Sequence, residues 1–353
     1  MAAGVAGGDL DLESIRDVDH LDDLLGAPTP GVVDTFARLD GDLIVLGVAG
    51  KMGPTLAWMA RRAFDAAGHG DRRVFGVARF SEPGCEPWLR DRGIEPIRCD
   101  LLDPDAPARL PEAANVVSMF AMKFGSTGQE ARTWAMNAFL PGLVAARYRR
   151  SRIVAFSTGN VYGLTPVRGG GSREADPARP VGEYGMSCLG RERILEHQSR
   201  TLGIPLAVIR LNYAVEMRYG VLVDLARRVL AGEPIDLAMG HFNAIWQGDA
   251  NAAALLAFDH LASPPAVFNV TGPEILGVRR AAERFGERFG RPVEFRGTEA
   301  PDALLSDAST ALGLFGPPRI DADRLIDLTA DWLLRGGPVL GKPTHFEARD
   351  GRF

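Results

Sequence analysis

The stretch Asp42-Leu-Ile-Val-Leu-Gly47-Val-Ala-Gly50-Lys51-Met52-Gly53-Pro54-Thr-Leu56-Ala-Trp-Met59-Ala60 decides the fold. Leu43–Leu46 is a short, continuous apolar run, the pattern of a strand buried on both faces. Gly47, Gly50 and Gly53 follow at three-residue spacing, and Leu56, Met59, Ala60 and Ala63 then recur at helical period. Strand, glycine turn and helix make the first unit of a doubly wound, dinucleotide-binding α/β fold. The first glycine permits the tight turn, the second lets backbone approach a pyrophosphate, and the third lets the helix pack close to the strand. The helix N-terminus offers free N–H groups and a positive dipole end to the phosphates. Pro54 suits a first helical turn, where its missing N–H is not needed.

Composition sets the outer bounds. With 353 residues the chain is long enough for one large or two ordinary domains. A hydrophobic content of 46% and a charged content of 24% are those of a soluble globular protein. The formal net charge of −5 gives no reason to expect nucleic acid or an anionic membrane as partner. Three cysteines, Cys85, Cys99 and Cys188, are odd in number and lack paired spacing. That argues against a disulfide framework or zinc site and fits a reducing cytoplasm. The six histidines show no metal-ligand spacing, so no metal is expected. No basic region followed by an apolar core marks a secretory signal, and no apolar run approaches the length of a membrane span.

Residues 1–41 precede the first strand. Asp9, Asp11, Glu13, Asp17, Asp19, Asp22 and Asp23 make the start acidic. Leu21, Leu24 and Leu25 suggest one short helical face, and Val32, Val33, Phe36 and Leu39 another. These 41 residues read as an extension draped on the core or on a partner subunit, with a solvated tail as the alternative for the first ten. After the first helix, strands are expected at residues 73–80, 94–100, 115–121, 151–157, 205–211 and 266–271. Helices are expected at 134–147, 184–202, 221–231, 249–261 and 277–289. Alternating apolar strands and helices imply a parallel sheet with right-handed crossovers. Asp321 caps a last helix that carries Leu325, Leu328 and Trp332 inward. Residues 336–353 are rich in Gly and Pro and read as extended. Gly169, Gly170, Gly171 and Ser172 mark a flexible loop.

This order of segments, over roughly residues 42–315, resembles the extended short-chain dehydrogenase/reductase family and its NAD-dependent epimerase/dehydratase group. Gly47-Val-Ala-Gly50-Lys51-Met52-Gly53 matches the family's glycine signature, and Asp100 with Leu101 matches the acid that ends strand three. Asn137 matches an asparagine of the helix after strand four. Ser157-Thr158-Gly-Asn160-Val-Tyr162-Gly163 resembles Ser-Ser-x-x-Val-Tyr-Gly, which puts Thr158 on the catalytic Ser/Thr position. Tyr184-Gly-Met-Ser187-Cys188 puts Tyr184 on the catalytic tyrosine, and Phe268-Asn-Val-Thr-Gly272 resembles a late Phe-Asn-Val-x-Gly segment.

The resemblance implies a Rossmann domain over residues 42–211, with 246–271 returning to it. A smaller, discontinuous substrate domain takes 212–245 and 272–353. It implies a cofactor site at Gly47, Gly50, Lys51, Met52, Gly53, Arg79, Asp100, Leu101, Ala121, Tyr184 and Cys188. It implies a substrate pocket at Asn160, Asn212, Tyr213, Trp246 and Gln247. A homodimer would pair through the helices that contain Asn137 and Tyr184.

Three departures matter. The family's lysine position holds Cys188, and a neutral thiol neither grips a ribose nor lowers the tyrosine pKa. Strand two ends Val77-Ala78-Arg79 with no acid to bind a ribose 2′-hydroxyl, whereas arginine accommodates a 2′-phosphate, which tilts the cofactor from NAD toward NADP. Phe242 falls where nucleotide-sugar enzymes of the family carry arginine, which argues against a nucleotide-linked sugar.

The expected chemistry is hydride exchange between a nicotinamide and a hydroxyl or carbonyl carbon of a sugar or sugar-derived small molecule. Tyr184 moves the partner proton and Thr158 holds the same oxygen. An unperturbed tyrosine has a pKa of about 10, so only about one molecule in a thousand is phenolate at neutral pH. That handicaps oxidation more than reduction. Lys123 follows strand four at the carboxyl edge of the sheet, where ligands bind, and is the candidate to supply the missing cation. A solvated loop lysine is the bland alternative there, as core packing is for Trp246. Two other functional readings stay open: a non-catalytic NAD(P)-binding protein, and a lyase or dehydratase that uses bound NAD transiently.

Overall fold

The computed structural model describes residues 14–103 and 105–352. The acidic positions Asp9, Asp11 and Glu13 and the expected solvated tail lie outside the described residues. Seven strands form the central sheet: β1 (Leu43–Leu46), β2 (Val74–Ala78), β3 (Glu95–Arg98), β4 (Asn115–Ser118), β5 (Arg152–Thr158), β6 (Leu206–Leu211) and β7 (Ala266–Val270). Their order is β7-β6-β5-β4-β1-β2-β3 and every pairing is parallel. The order reverses between β1 and β4, and such a reversal opens a crevice outside the carboxyl ends of the strands.

The apolar runs became strands because both faces are covered. One layer packs Leu43, Val45, Leu56, Met59 and Phe64 together. The other packs Ile44, Leu46, Val116, Leu140 and Leu206. A further core, around Val221, Leu225, Trp246, Phe285 and Leu325, belongs to the C-terminal half.

The N-terminal extension forms two helices, α1 (Val18–Leu25) and α2 (Pro30–Arg38). Asp17 caps the first by accepting the His20 N–H at 2.8 Å, and Thr29 caps the second by accepting the Val32 N–H at 3.2 Å. Leu21, Leu24 and Leu25 of α1 enter the C-terminal core, whereas Val32 and Phe36 of α2 enter the sheet core. The extension therefore clamps the two halves together; Val33 is only half-buried. In the last helix, Ala322–Leu334, Asp321 accepts the Arg324 N–H at 2.7 Å, and Leu325, Leu328 and Trp332 are buried.

Departures from expectation are short or irregular elements. The helix expected at 134–147 is present but runs from residue 130 and is irregular: Glu130–Trp134 and Leu140–Arg147 flank a π-helical turn, Ala135–Phe139. The loop leading to Trp246 contains two-residue strands, His241–Phe242 and Ile245–Trp246, paired with Leu276–Gly277 and Ala214–Val215. Helices Cys85–Arg90 and Ser309–Phe315 also went unread. Two-residue pairings and helices of six or seven residues are too short to show a clear period. Residues 336–352 form no regular element and run back across the molecule. There the Leu340 N–H donates to the Arg218 carbonyl at 2.9 Å, and Phe346 is 2% exposed.

Candidate active site

The turn from β1 into helix α3 (Gly53–Ala66) is held by the Gly47 N–H, which donates to the Val77 carbonyl at 2.9 Å. Gly47 has φ +88°, and a Cβ there would lie 2.8 Å from the Phe120 nitrogen. A Cβ on Gly53 would lie 2.1 Å from the Val48 carbonyl oxygen. Gly50 differs, since its Cβ would meet nothing nearer than the Gly47 oxygen at 3.4 Å, an ordinary contact. The chain's own packing thus requires glycine at 47 and 53 but not at 50. Open room beside Gly50 is what a close-approaching phosphate needs. The residues present therefore fit a dinucleotide.

That turn is one wall of a cleft of about 230 Å³. Gly47 and Gly50 contribute from β1, Arg79 from β2, Asp100 and Leu101 from β3, and Ala121 from β4. Arg79 is exposed, and its carbonyl accepts Arg98 Nη1 at 2.7 Å. Asp100 accepts the Leu102 N–H at 3.0 Å. Met52 is half-buried at the N-cap of α3, and Met136 completes the wall from the π-helical turn. A larger cavity of about 280 Å³, lined by Thr29, Leu256, Phe315 and Arg319, holds none of the expected catalytic residues.

Lys51 turns away from this cleft. Its Nζ lies 3.2 Å from the Tyr219 ring centroid and 4.7 Å from that of Phe124. Burial, and then the charges of Lys123 and Lys342, lower its pKa to about 7.

Tyr184 sits in the first turn of the helix Gly182–Leu202, hydrogen-bonded to Thr158 at the end of β5 and to Cys188 one turn on. Thr158 Oγ1 accepts both the Asn160 N–H, at 3.2 Å, and Asn160 Nδ2, at 2.9 Å. Burial pushes the Tyr184 phenol far above its ordinary value, and the Cys188 thiol is likewise raised by burial. Cys188 is fully enclosed, against Val161, Tyr162 and Tyr184.

Lys123 comes close to this cluster. Its Nζ is 5.9 Å from the Tyr184 ring centroid and 5.3 Å from that of Phe124. Burial lowers its pKa to about 8, with Cys188 acting in the opposite sense. Asn137 fixes the loop. Its Oδ1 accepts the Met122 N–H at 2.8 Å, and its Nδ2 donates to the Met122 carbonyl and to Ser187 Oγ, each at 3.0 Å. One side chain in a π-helical turn thus ties the Lys123 loop to the Tyr184 helix. Such turns recur at functional sites.

Sequence reading missed Arg191. Its buried guanidinium draws the Tyr184 and Cys188 pKa values down, and it is anchored on the Asn137 and Phe156 carbonyls at 3.0 and 2.5 Å. Its position two turns beyond Tyr184, on the same helix face, was the available signal.

The expected substrate residues fare differently. Asn160 faces a small cavity closed by Ala348, Arg349 and Gly351 of the C-terminal segment. Asn212 is buried behind Gly159 and donates to Ser306 Oγ at 3.0 Å. Tyr213 is half-buried at φ +36°, edge-on to Phe242. Trp246 is fully buried in the C-terminal core, and Gln247 donates to Thr55 Oγ1 of α3 at 3.2 Å. The structure gives Trp246 a packing place and Gln247 a tethering one.

A dTDP-6-deoxy-L-talose 4-dehydrogenase (NAD(P)(+)) from Kitasatospora kifunensis is 33% identical over 172 residues, covering 45% of this chain. The chain spans about half that relative's length, 53%. Among solved structures, UDP-glucose 4-epimerase from Thermotoga maritima, crystallised with UDP-glucose, aligns at TM-score 0.69 and 19% identity, over 84% of this chain and 99% of that one. WbmG from Bordetella bronchiseptica, in complex with NAD and UDP, aligns at TM-score 0.69 and 20% identity, over 87% and 98%. At such identities the likeness shows the fold. The model of the NAD dependent epimerase/dehydratase family matches residues 43–270, most of the chain, and the chain belongs to that family.

Proposed function

We propose that this protein is an NAD(P)-dependent oxidoreductase or epimerase-like enzyme acting on a hydroxyl or carbonyl of a sugar or sugar-derived small molecule. The observation that carries the reading is the meeting of Tyr184, Thr158 and Lys123 at the carboxyl edge of the sheet. A dinucleotide held by Gly47, Gly50, Met52, Gly53, Asp100, Leu101 and Ala121 supplies hydride acceptance and donation when bound. Tyr184 holds the proton, and its raised pKa keeps it in the donor form. Thr158, oriented by Asn160, shares the substrate oxygen. Lys123 supplies the positive charge absent at Cys188, over a background set by Arg191. Asn160 and Tyr213 border the substrate, and the burial of Phe242 among Tyr213 and Phe346 supports a substrate without a nucleotide. The test is nicotinamide absorbance on mixing the full chain with a panel of aldoses, ketoses and sugar acids. Turnover that disappears in Tyr184→Phe supports the reading. Tight cofactor binding without turnover of any member supports a non-catalytic binding protein instead.

Arg79, at the end of β2 where no acid stands, favours NADP through the 2′-phosphate. Dissociation constants at low salt check this. NADP is expected to bind about tenfold tighter than NAD, with the difference lost in Arg79→Ala; an NAD preference that survives the substitution contradicts it.

The family division between residues 42–211 with 246–271, and 212–245 with 272–353, is part of the same reading and is supported by the separate C-terminal core. A homodimer through the Asn137 and Tyr184 helices is supported by exposed Trp134, Phe139 and Met186, which stand 40%, 61% and 38% accessible there. Sedimentation as a monomer at micromolar concentration contradicts it. Unpaired Cys85, Cys99 and Cys188 suit a cytoplasmic setting. Among the described residues no helix is long and apolar enough to cross a membrane.

A further inference from the structure

Lysine is scarce in this chain: of its 40 Lys and Arg residues only Lys51, Lys123 and Lys342 are lysine. Lys51 and Lys123 stand together beside the cleft, the second of them close to Tyr184. The ammonium groups of Lys51 and Lys123 flank one ring, that of Phe124. Lys342 arrives from the C-terminal segment, and its charge acts on Lys51 together with that of Lys123. The segment is fastened so that it stays there. The Thr344 N–H and Oγ1 both donate to Asp224 Oδ2, at 2.7 and 2.6 Å, and Phe346 is buried. His345 brings its ring 6.0 Å from that of Phe124. The negative groups facing the cluster are Asp224, which accepts from Thr344, and Glu82, which pairs with Lys342 at 2.6 Å.

Gathering like charges under partial burial costs free energy. The three lysines come from the glycine turn, the loop after β4 and the C-terminal segment, far apart in sequence. None of them lines the cleft that runs past Asp100. Compact ammonium groups with rotatable donors suit a small anion arriving among them.

We propose that Lys51, Lys123 and Lys342 bind a carboxylate or phosphate group carried by the substrate, so that the substrate is an acidic sugar or sugar-derived molecule. This rests on the reading of Tyr184 as the acid/base group. The pyrophosphate of a dinucleotide has the same anionic chemistry, and the test separates the two sources.

Inorganic phosphate is titrated calorimetrically into the full chain, with and without saturating NAD. Saturable binding to the NAD-loaded protein is expected, weakened about tenfold or more in Lys51→Met and in Lys342→Met. Glu82→Gln, which releases Lys342, is expected to tighten it. Lys342 is exposed, so Lys342→Met keeps the test intact even where Lys51→Met disturbs the glycine turn. Phosphate that fails to bind the NAD-loaded protein, or binds indifferently to both substitutions, overturns the proposal. So does phosphate that binds only the NAD-free protein and is displaced by NAD, since the lysines then serve the cofactor. Failure of NAD to bind would strike the catalytic reading alone, because the titration of the free protein still decides the lysine site.

Discussion

The two ends of the cleft are built on different plans. The end beside Gly50, Arg79 and Asp100 is made of backbone and of residues that directly follow β1, β2 and β3. The end beside Tyr184 is made of long side chains that come from the glycine turn, the β4 loop, the helix Gly182–Leu202 and the C-terminal segment. The first plan fixes a ligand's position through the sheet itself. The second sets charge, and can change its chemistry by exchanging single residues. In the proposed function, Cys188 stands where the family pattern has lysine, and Lys123, with its Nζ 5.9 Å from the Tyr184 ring centroid, takes that part.

The comparison predicts distinct failures. At the charged end, Tyr184→Phe removes the proton carrier and is expected to lower turnover by about 10²- to 10⁴-fold, with dinucleotide affinity nearly unchanged by calorimetry. A variant retaining a tenth of wild-type turnover would assign the proton to another group. At the backbone end, Gly50→Val is expected to weaken dinucleotide binding about a hundredfold while leaving the melting temperature close to wild type, because the Cβ it adds meets nothing nearer than 3.4 Å. Gly53→Val, in the same turn, forces a Cβ onto the Val48 carbonyl and is expected to destabilise the fold by about 3 kcal/mol or more. Equal effects of the two glycine substitutions on stability would contradict the assignment of Gly50 to a ligand.

A smaller effect concerns pH. The folded pKa of Lys51 lies below its unfolded value. The unfolded chain therefore binds more protons between about pH 7 and the ordinary lysine pKa of about 10.4, and stability rises with pH across that window. Below it both states are protonated and the folded state bears the full cost of the buried charge. Lys51→Met is then expected to raise the melting temperature by a few degrees near pH 6 and by less near pH 10. A gain that is the same at both pH values would argue that packing against Tyr219, rather than charge, is responsible.

How much could be read in advance follows the same division. Leu43–Leu46 and the other core strands were legible because a parallel sheet covered on both faces demands unbroken apolar runs. The glycine turn was legible because three backbone requirements fall within seven residues. Thr158, Tyr184 and Asn137 were placed by the family pattern, and Lys123 by its position after a strand. Arg191, the aim of Lys51 and the return of Lys342 were not legible as site features. They depend on which way long side chains point and on an extended segment without periodicity. Trp246 shows the reverse: a place in the substrate pocket is expected for it, with core packing as the alternative, and its surroundings make it core.

The central claim is that Lys123 supplies the charge that Cys188 cannot. Each unit by which a cation lowers a tyrosine pKa is about 1.4 kcal/mol of differential interaction. The most direct measurement is the pH dependence of the oxidative rate in wild type, Lys123→Met and Cys188→Lys, with the substrate that the sugar panel identifies. The rising limb is predicted to move up by about one unit or more in Lys123→Met relative to wild type, and to return toward the wild-type position in a Lys123→Met/Cys188→Lys double variant. A wild-type limb that stays in place when Lys123 is removed would contradict the claim and transfer the role to Arg191.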